Sequence, residues 1–386
     1  MGGMTPATAP WTDRTDLIAL AERLEARFVG GAVRDSLLGQ AVADIDLATP
    51  LSPETVIARV REAGFKPVPT GIAHGTITAV LPDGPVEVTT LRRDVSTDGR
   101  HAVVAFTDDW REDAARRDFT MNALYADPVT SELFDYFGGL DDLKAGRVRF
   151  IGDPLQRIAE DHLRILRFFR FHARFGQAID QAGLDACTQR ANDLMALSRE
   201  RIAAELLKLL VAARAVPVVA LMVEQGIFRA VIPEIDRAGA DRLARLAQAE
   251  AAAGIAPDPI RRLAALLPPE AAEPVGARLK LSNLDRKRLI AATAGPGDEG
   301  PHALAYRVGT TGAVDRLLLA GESVAAIRDW TPPALPLTGG ALVERGVRKG
   351  PDVARLLRQV ETRWIAEGFP DAGRVAELAD AAVAQA

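Results

Sequence analysis

A chain of 386 residues, 48% hydrophobic and 26% charged, has the composition of a globular protein of about two to four domains. Its formal net charge of −5 excludes a protein that coats nucleic acid over its whole surface, so any RNA contact must come from local basic patches. The single cysteine, Cys187, excludes an intramolecular disulfide and cysteine-rich zinc sites and fits a reducing, cytoplasmic setting.

The opening residues show no basic start followed by an apolar core, so they do not read as a signal peptide. No run of about 20 apolar residues predicts a membrane span. Residues 17–27 read as an amphipathic helix, Phe28-Val29 as a short apolar run, Gly30-Gly31 as a turn, and 32–38 as a helix. A strand is expected over 45–47. Residues 53–63 form a helix with Ser52 as N-cap ahead of a proline at the first helical position. Residues 76–81 and 86–91 flank Pro82-Asp83-Gly84-Pro85 and read as a hairpin. From about Leu155 onward alanine, leucine and arginine recur with a 3.6-residue period, and the remainder is expected to be helical throughout.

Three constellations carry the chemistry. In the first, Gly30-Gly31-Ala32-Val33-Arg34-Asp35 is followed by Asp44-Ile45-Asp46. Paired glycines ahead of a helix let backbone approach an anion, and the helix N-terminus offers free N–H groups and partial positive charge. Arg34, about one turn past Gly31, adds a charged fork for phosphate oxygens. Residues two apart in a strand point to the same side, so Asp44 and Asp46 are expected to converge on Mg²⁺ bound with a triphosphate. Glu87, between Val86 and Val88, is read either as a third carboxylate or as an outward polar residue on an edge strand.

The second constellation is Arg116-Arg117-Asp118-Phe119-Thr120-Met121-Asn122-Ala123, where arginines can reach phosphates or a ribose and Thr120 and Asn122 need fixed partners among apolar neighbours. The third is Glu160-Asp161-His162-Leu163-Arg164-Ile165-Leu166-Arg167-Phe168-Phe169-Arg170-Phe171. On one continuous helix, Glu160, Arg164, Arg167 and Arg174 share a face, with Asp161 and Arg170 on its shoulders. Cytosine and adenine both present an amino donor beside a ring-nitrogen acceptor. An Asp161/Arg164 pair would match that edge and leave buried groups unpaired against uracil or guanine.

Together these motifs resemble the bacterial class II tRNA CCA-adding enzymes and poly(A) polymerases, members of the DNA polymerase β-like nucleotidyltransferases. Smaller matches are Phe134-Asp135-Tyr136-Phe137-Gly138-Gly139 and Glu200-Arg201-Ile202 leading to Glu205-Leu206. The resemblance implies an α+β chain, with an α/β catalytic head (1–140), a helical neck that recognises the base (141–215), and a helical body and tail that bind tRNA (216–386). It implies Mg²⁺-dependent addition of CCA to tRNA from CTP and ATP. Asp44 and Asp46 would bind metal, and Gly31 and Arg34 would contact the triphosphate. Arg117, Asp161, Arg164, Arg167 and Arg170 would line the nucleotide pocket, with Asp161 and Arg164 reading the base. Residues 92–105 resemble the mobile loop linked to the switch from C to A. Arg286-Lys287-Arg288 and residues 345–349 are candidates for the tRNA backbone. The rival readings are a poly(A) polymerase, a variant adding only A or only CC, and a non-catalytic RNA-binding protein on the same fold. Retention of Asp44, Asp46 and Arg164 speaks against the last of these.

Overall fold

The computed structural model describes residues 11, 13–42, 44–98 and 101–385. The chain divides into two compact units, Met1–Pro233 and Glu234–Ala386. The first unit begins with α1 (Thr15–Arg23), β1 (Arg27–Val29), α2 (Gly31–Leu37), β2 (Asp46–Thr49) and α3 (Pro53–Glu62). Next come β3 (Lys66–Gly71), β4 (Thr76–Leu81), β5 (Gly84–Thr90), β6 (Arg92–Asp98) and β7 (His101–Phe106). Then follow α4 (Trp110–Ala115), β8 (Leu124–Ala126), β9 (Leu133–Asp135) and α5 (Gly139–Lys144). The rest of the unit is helical, with α6 (Pro154–Glu160), α7 (Arg164–Phe175), α8 (Gln181–Gln189), α9 (Arg199–Leu210) and α10 (Ala215–Glu224).

Seven strands form one mixed sheet in the order β3-β4-β5-β2-β1-β8-β9, and β6 pairs with β7 as a separate hairpin. Only β2 and β5 run parallel, and their register sets Asp46 beside Glu87. The sheet buries Phe28, Leu47, Ile77, Val86 and Val88, each worth about 1.5–3 kcal/mol of transfer free energy for a fully buried large side chain. Ser52 caps α3 as expected, accepting from the Thr55 N–H at 3.3 Å with Pro53 behind it.

Three expected elements differ in their bounds. The first helix stops at Arg23, because Glu25 takes a positive φ of 50° and the chain reverses to bury Phe28 in β1. The strand expected over 45–47 starts only at Asp46, so Asp44 precedes the pleat and the alternation argument for the two aspartates does not apply. The helix expected through 160–171 is broken. Asp161 adopts an extended φ/ψ of −149°/106°, which ends α6 at Glu160 and lets α7 begin at Arg164. Residues 92–105, read as a mobile loop, form β6 and most of β7; Gly99 and Arg100 lie outside the described residues.

An aromatic cluster joins sheet to helices. Phe150 stacks on Phe168 at 5.6 Å between centroids, and Phe119 lies 4.9 Å from Phe150 and 5.3 Å from Phe171. It fixes α7 against the segment carrying Arg117 and Asp118.

The second unit holds α11 (Arg237–Ala253), α12 (Pro259–Leu266), α13 (Ala272–Arg278), α14 (Asn283–Ala292), α15 (Pro301–Ala320), α16 (Gly339–Glu344), α17 (Pro351–Ala366) and α18 (Ala372–Ala384). Its last three helices pack around Leu342, Leu356, Val360, Trp364 and Leu378. Among the described residues no helix is long and apolar enough to cross a membrane.

Candidate active site

Gly30 follows β1 with φ +67° and its N–H bonds to Leu124 O at 3.0 Å, so α2 opens directly off the end of a strand held between β2 and β8. A Cβ at Gly30 would sit 3.4 Å from both the Arg117 guanidinium and Asn122 O, in a conformation that side chains disfavour. The positive φ is what calls for glycine here, and the loop lies against the Arg117 side chain. Gly31 begins the helix with its N–H groups free of side-chain caps.

Asp46 is half-buried at the start of β2, Glu87 is exposed beside it on β5, and Asp44 is exposed just ahead. Burial raises the Asp46 carboxyl above its ordinary value, and the nearby Glu87 and Asp44 charges push the same way against the pull of Arg117. Three oxygen donors that repel one another beside a Gly-Gly loop suit a hard divalent cation. As they stand, the described residues contain no group of three His, Cys, Asp or Glu already closed around a metal position.

Arg34 is placed differently from expectation. It is 5% exposed, pairs with Asp35 (Nε–Oδ1 2.8 Å), donates to Asn122 Oδ1, and lies over the Phe171 and Phe175 rings. Burial lowers its pKa, and Asp35 offsets part of that effect. The guanidinium supports the loop from beneath instead of reaching out as a free fork.

Arg117 lies near both the Gly30 loop and Asp46. Its Nη2 donates to Asp113 Oδ2 at 3.0 Å and its Nε to the Tyr125 hydroxyl at 3.3 Å. Burial opposes its charge, yet Tyr125 and Asp113 hold its pKa above the ordinary value. Thr120 and Asn122 have the partners expected of buried polar groups: Thr120 donates to Asp142 at 2.7 Å, and Asn122 donates to Asp118 at 2.9 Å.

Asp161 and Arg164 are not joined to each other. Asp161 accepts Arg201 Nη2 on both oxygens, at 3.1 and 2.9 Å, and receives the Leu163 N–H. Arg164 donates to Glu160 Oε2 at 2.6 Å and to the carbonyls of Arg157 and Arg116 at 2.9 and 3.0 Å. Farther along α7, Arg167 meets Asp118 (Nε–Oδ2 2.7 Å), Arg170 meets Glu205 (2.5 Å), and Arg174 meets Asp35 (3.1 Å). The arginine stripe is therefore a seam. Each guanidinium ties α7 to a carboxylate or carbonyl on the 116–118 segment, on α2 or on α9, and the charges stay clustered beside the loop and the acidic strand.

The motifs contain Glu160, Arg201 and Glu205 without pairing them to Arg164, Asp161 and Arg170, and they leave out Asp113 and Arg157. A weak signal existed for Asp113, which precedes Arg117 by four residues, the helical neighbour spacing. Nothing in the spacing pairs Arg201 with Asp161, which it reaches across 40 residues. Of the proposed RNA-backbone residues, Arg286 pairs with Glu273, Arg288 with Asp315 and Asp258, and Arg345 with Asp380, whereas Lys287 and residues 348–349 are exposed. A separate pocket of about 400 Å³ in the second unit is lined by Arg242, Arg245 and Arg316 with Leu246, Leu267 and Leu318.

The Poly A polymerase head domain family matches residues 26–149, and the probable RNA and SrmB-binding site of polymerase A matches residues 177–238. The chain is 36% identical to the mitochondrial CCA tRNA nucleotidyltransferase 1 of Mus musculus, over 92% of this chain and 86% of that protein. It is 39% identical to a CCA-adding enzyme of Anoxybacillus flavithermus over 55% of this chain and 52% of the other. Among solved structures, it resembles the Bacillus stearothermophilus CCA-adding enzyme in complex with CTP, with a TM-score of 0.70 and 25% identity over 96% of this chain and 98% of that one. The fold also matches a Thermotoga maritima CCA-adding enzyme complexed with tRNA, with a TM-score of 0.71 and 20% identity over 96% and 94% of the two chains.

Proposed function

Because the chain belongs to the CCA tRNA nucleotidyltransferase family, we propose that it completes tRNA by adding CCA to the 3′ end from CTP and ATP. The observation that carries this reading is the parallel register that sets Asp46 against Glu87, with Asp44 and Arg117 close enough to perturb the same carboxyl, beside the Gly30-Gly31 loop. Mg²⁺ held by Asp44 and Asp46, with Glu87 alongside, would neutralise the triphosphate and favour ionisation of the primer hydroxyl. The protein's own groups do the positioning. Gly31 and the first turn of α2 offer N–H groups to phosphate oxygens, and Arg117 supplies a fixed cation above them. Arg34 keeps the loop and Asn122 in register from below.

Asp161, Arg164, Arg167 and Arg170 line the adjacent pocket in this reading. Asp161 accepts from the amino group of C or A, and Arg164 donates to the ring nitrogen. Both side chains are engaged by Arg201 and Glu160, so base reading requires them to use lone pairs and N–H groups left over from those contacts. An Arg has five donors and a carboxylate about four acceptor positions, which leaves enough of each.

The domain reading follows as part of the proposal. Residues 1–140 perform the transfer, 141–215 read the nucleotide, and 216–386 hold tRNA. The arginines of the pocket in the second unit support RNA binding there. Arg242 and Arg316 are held by the carbonyls of Ala265, Leu266 and Ala291 and, among the described residues, by no carboxylate, so their charge is not neutralised. A cytoplasmic location fits the single buried cysteine. The test is nucleotide addition with Mg²⁺ on tRNA lacking CCA, on tRNA ending in CC, and on an unstructured RNA, each with the four nucleotides singly and with CTP plus ATP. Two C and one A on the first substrate, followed by arrest, is the expected result. Long A tracts on the unstructured RNA would make it a poly(A) polymerase, and no incorporation would leave an RNA-binding protein.

A further inference from the structure

Outside the groups assigned to phosphate, metal and base stands one carboxylate with more engaged partners than any of them. Asp113, 1% exposed in the first turn of α4, receives Arg116 Nε at 2.8 Å and the Arg92 N–H at 3.3 Å on Oδ1. Its Oδ2 receives Arg117 Nη2 at 3.0 Å and the Tyr125 hydroxyl at 2.7 Å. Burial alone would raise this carboxyl; Arg117, Arg116 and the Tyr125 hydroxyl outweigh that and hold it far below the usual carboxylate range. The charge is therefore permanent, and buried ion pairs of this kind are expensive unless every lone pair is used.

What these bonds connect is specific. Arg117 is the cation that stands beside the Gly30 loop. Arg92 is the first residue of β6, the root of the hairpin. Arg116 donates its side chain to Asp113 while its carbonyl accepts Arg164 Nη2 at 3.0 Å and Arg157 Nη2 at 2.5 Å. A continuous path of bonds thus runs from the hairpin root through Asp113 to Arg117 and, across one residue, to Arg164. Tyr125, packed edge-on against Trp110 at 5.4 Å, closes the far side.

We propose that Asp113 is a positioning residue for nucleotidyl transfer, holding the Arg117 guanidinium at the phosphate end of the site and anchoring it to the root of the β6–β7 hairpin. Asp113 touches no substrate; its effect passes through Arg117. The proposal rests on the nucleotidyl-transfer reading, which wild-type extension of tRNA tests on its own. If wild type transfers nucleotides, the variants below judge Asp113 alone.

The experiment is a double-mutant cycle on steady-state addition of CTP to tRNA lacking CCA and of ATP to tRNA ending in CC, using Asp113→Asn and Arg117→Gln singly and together. Asp113→Asn keeps the shape and removes the charge. It should raise the KM for CTP and ATP about tenfold, the effect of losing a charge-assisted hydrogen bond, while the KM for tRNA stays at the wild-type value. In the Arg117→Gln background the same change should add less than about twofold, since its target is gone. Asp113→Glu, which restores the charge, should recover part of the lost nucleotide affinity. Should Asp113→Asn not fold, Asp113→Glu keeps the charge but displaces the carboxylate by one methylene, and its smaller rise in nucleotide KM should likewise vanish in the Arg117→Gln background. A nucleotide KM unchanged in the foldable variant, or an equal loss in both backgrounds, overturns the proposal and leaves Asp113 a purely structural ion pair.

Discussion

Asp44 and Asp46 sit two residues apart and differ in every physical respect that matters to a substitution. Asp46 lies half-buried at the head of β2, and its carboxyl is raised by burial and by its acidic neighbours; Asp44 is exposed ahead of the strand. Asp44→Ala therefore removes an oxygen donor without opening a cavity. The expected outcome is a loss of transfer of about a thousandfold with a change in unfolding free energy of less than about 0.5 kcal/mol. Incorporation kinetics at saturating Mg²⁺ and urea denaturation measure the two halves, and near-normal transfer would remove Asp44 from the metal site. A second residue speaks to pH. Burial, helped by Arg214, lowers the His172 pKa from 6.5 to about 4. Between those values the unfolded chain takes up a proton that the folded chain refuses. Stability is then full above pH 6.5 and declines as the pH falls toward 4, by about 3 kcal/mol at the limit. The urea midpoint of wild type should fall more steeply between pH 7 and pH 5 than that of His172→Gln; parallel profiles would mean that His172 is not the group responsible.

At the scale of elements, legibility followed punctuation. The β4–β5 hairpin was readable because Pro82-Asp83-Gly84-Pro85 interrupts two β-branched runs, and α3 because Ser52 and Pro53 announce it. β3 escaped because Pro67 and Pro69 argue against a strand and are tolerated only at the sheet edge, where β3 lies. β8 and β9, three residues each, are too short to show a period. The break at Asp161 was invisible for the opposite reason, since the apolar period runs through it and the extended residue is held by Arg201 from far along the chain. Motif order thus located the site, whereas the partners that orient its arginines are set by tertiary packing. The α7 seam gives the corresponding prediction. Arg167→Ala leaves Asp118, 8% exposed, with hydrogen bonds from Asn122 and the Phe119 N–H but without its ion-pair partner. It should destabilise the first unit by about 2 kcal/mol, less than for a wholly buried pair because the Arg167 side chain is 30% exposed. A companion Asp118→Asn change should recover part of the loss by removing the stranded charge. Equal unfolding midpoints for wild type and Arg167→Ala would show that α7 is held by its phenylalanines alone.

For the whole molecule the question is how a chain of net charge −5 can hold a polyanion. Many of its arginines are paired within the fold. In the second unit Arg261 and Arg262 grip the buried Glu250, and Arg261 and Arg288 meet the buried Asp315, so these cations present no field to a ligand. The pocket formed by Arg242, Arg245 and Arg316 is a different case. Carbonyls at the ends of α12 and α14 orient Arg242 and Arg316 without cancelling their charge, and Arg245 is exposed. Leucines at 246, 267 and 318 give the same pocket an apolar wall on which a ribose or base can rest. If these arginines neutralise RNA phosphates, each releases counterions and contributes about 0.7–0.9 to the slope of log affinity against log salt. Arg245→Gln with Arg316→Gln should then weaken binding of tRNA lacking CCA and flatten that slope by about 1.5, with no change in the KM for CTP. The lysine pair at the same positions keeps the charge and should keep most of the slope. A glutamine pair with the wild-type slope would send the tRNA elsewhere on the second unit, toward the exposed Lys287 or residues 348–349.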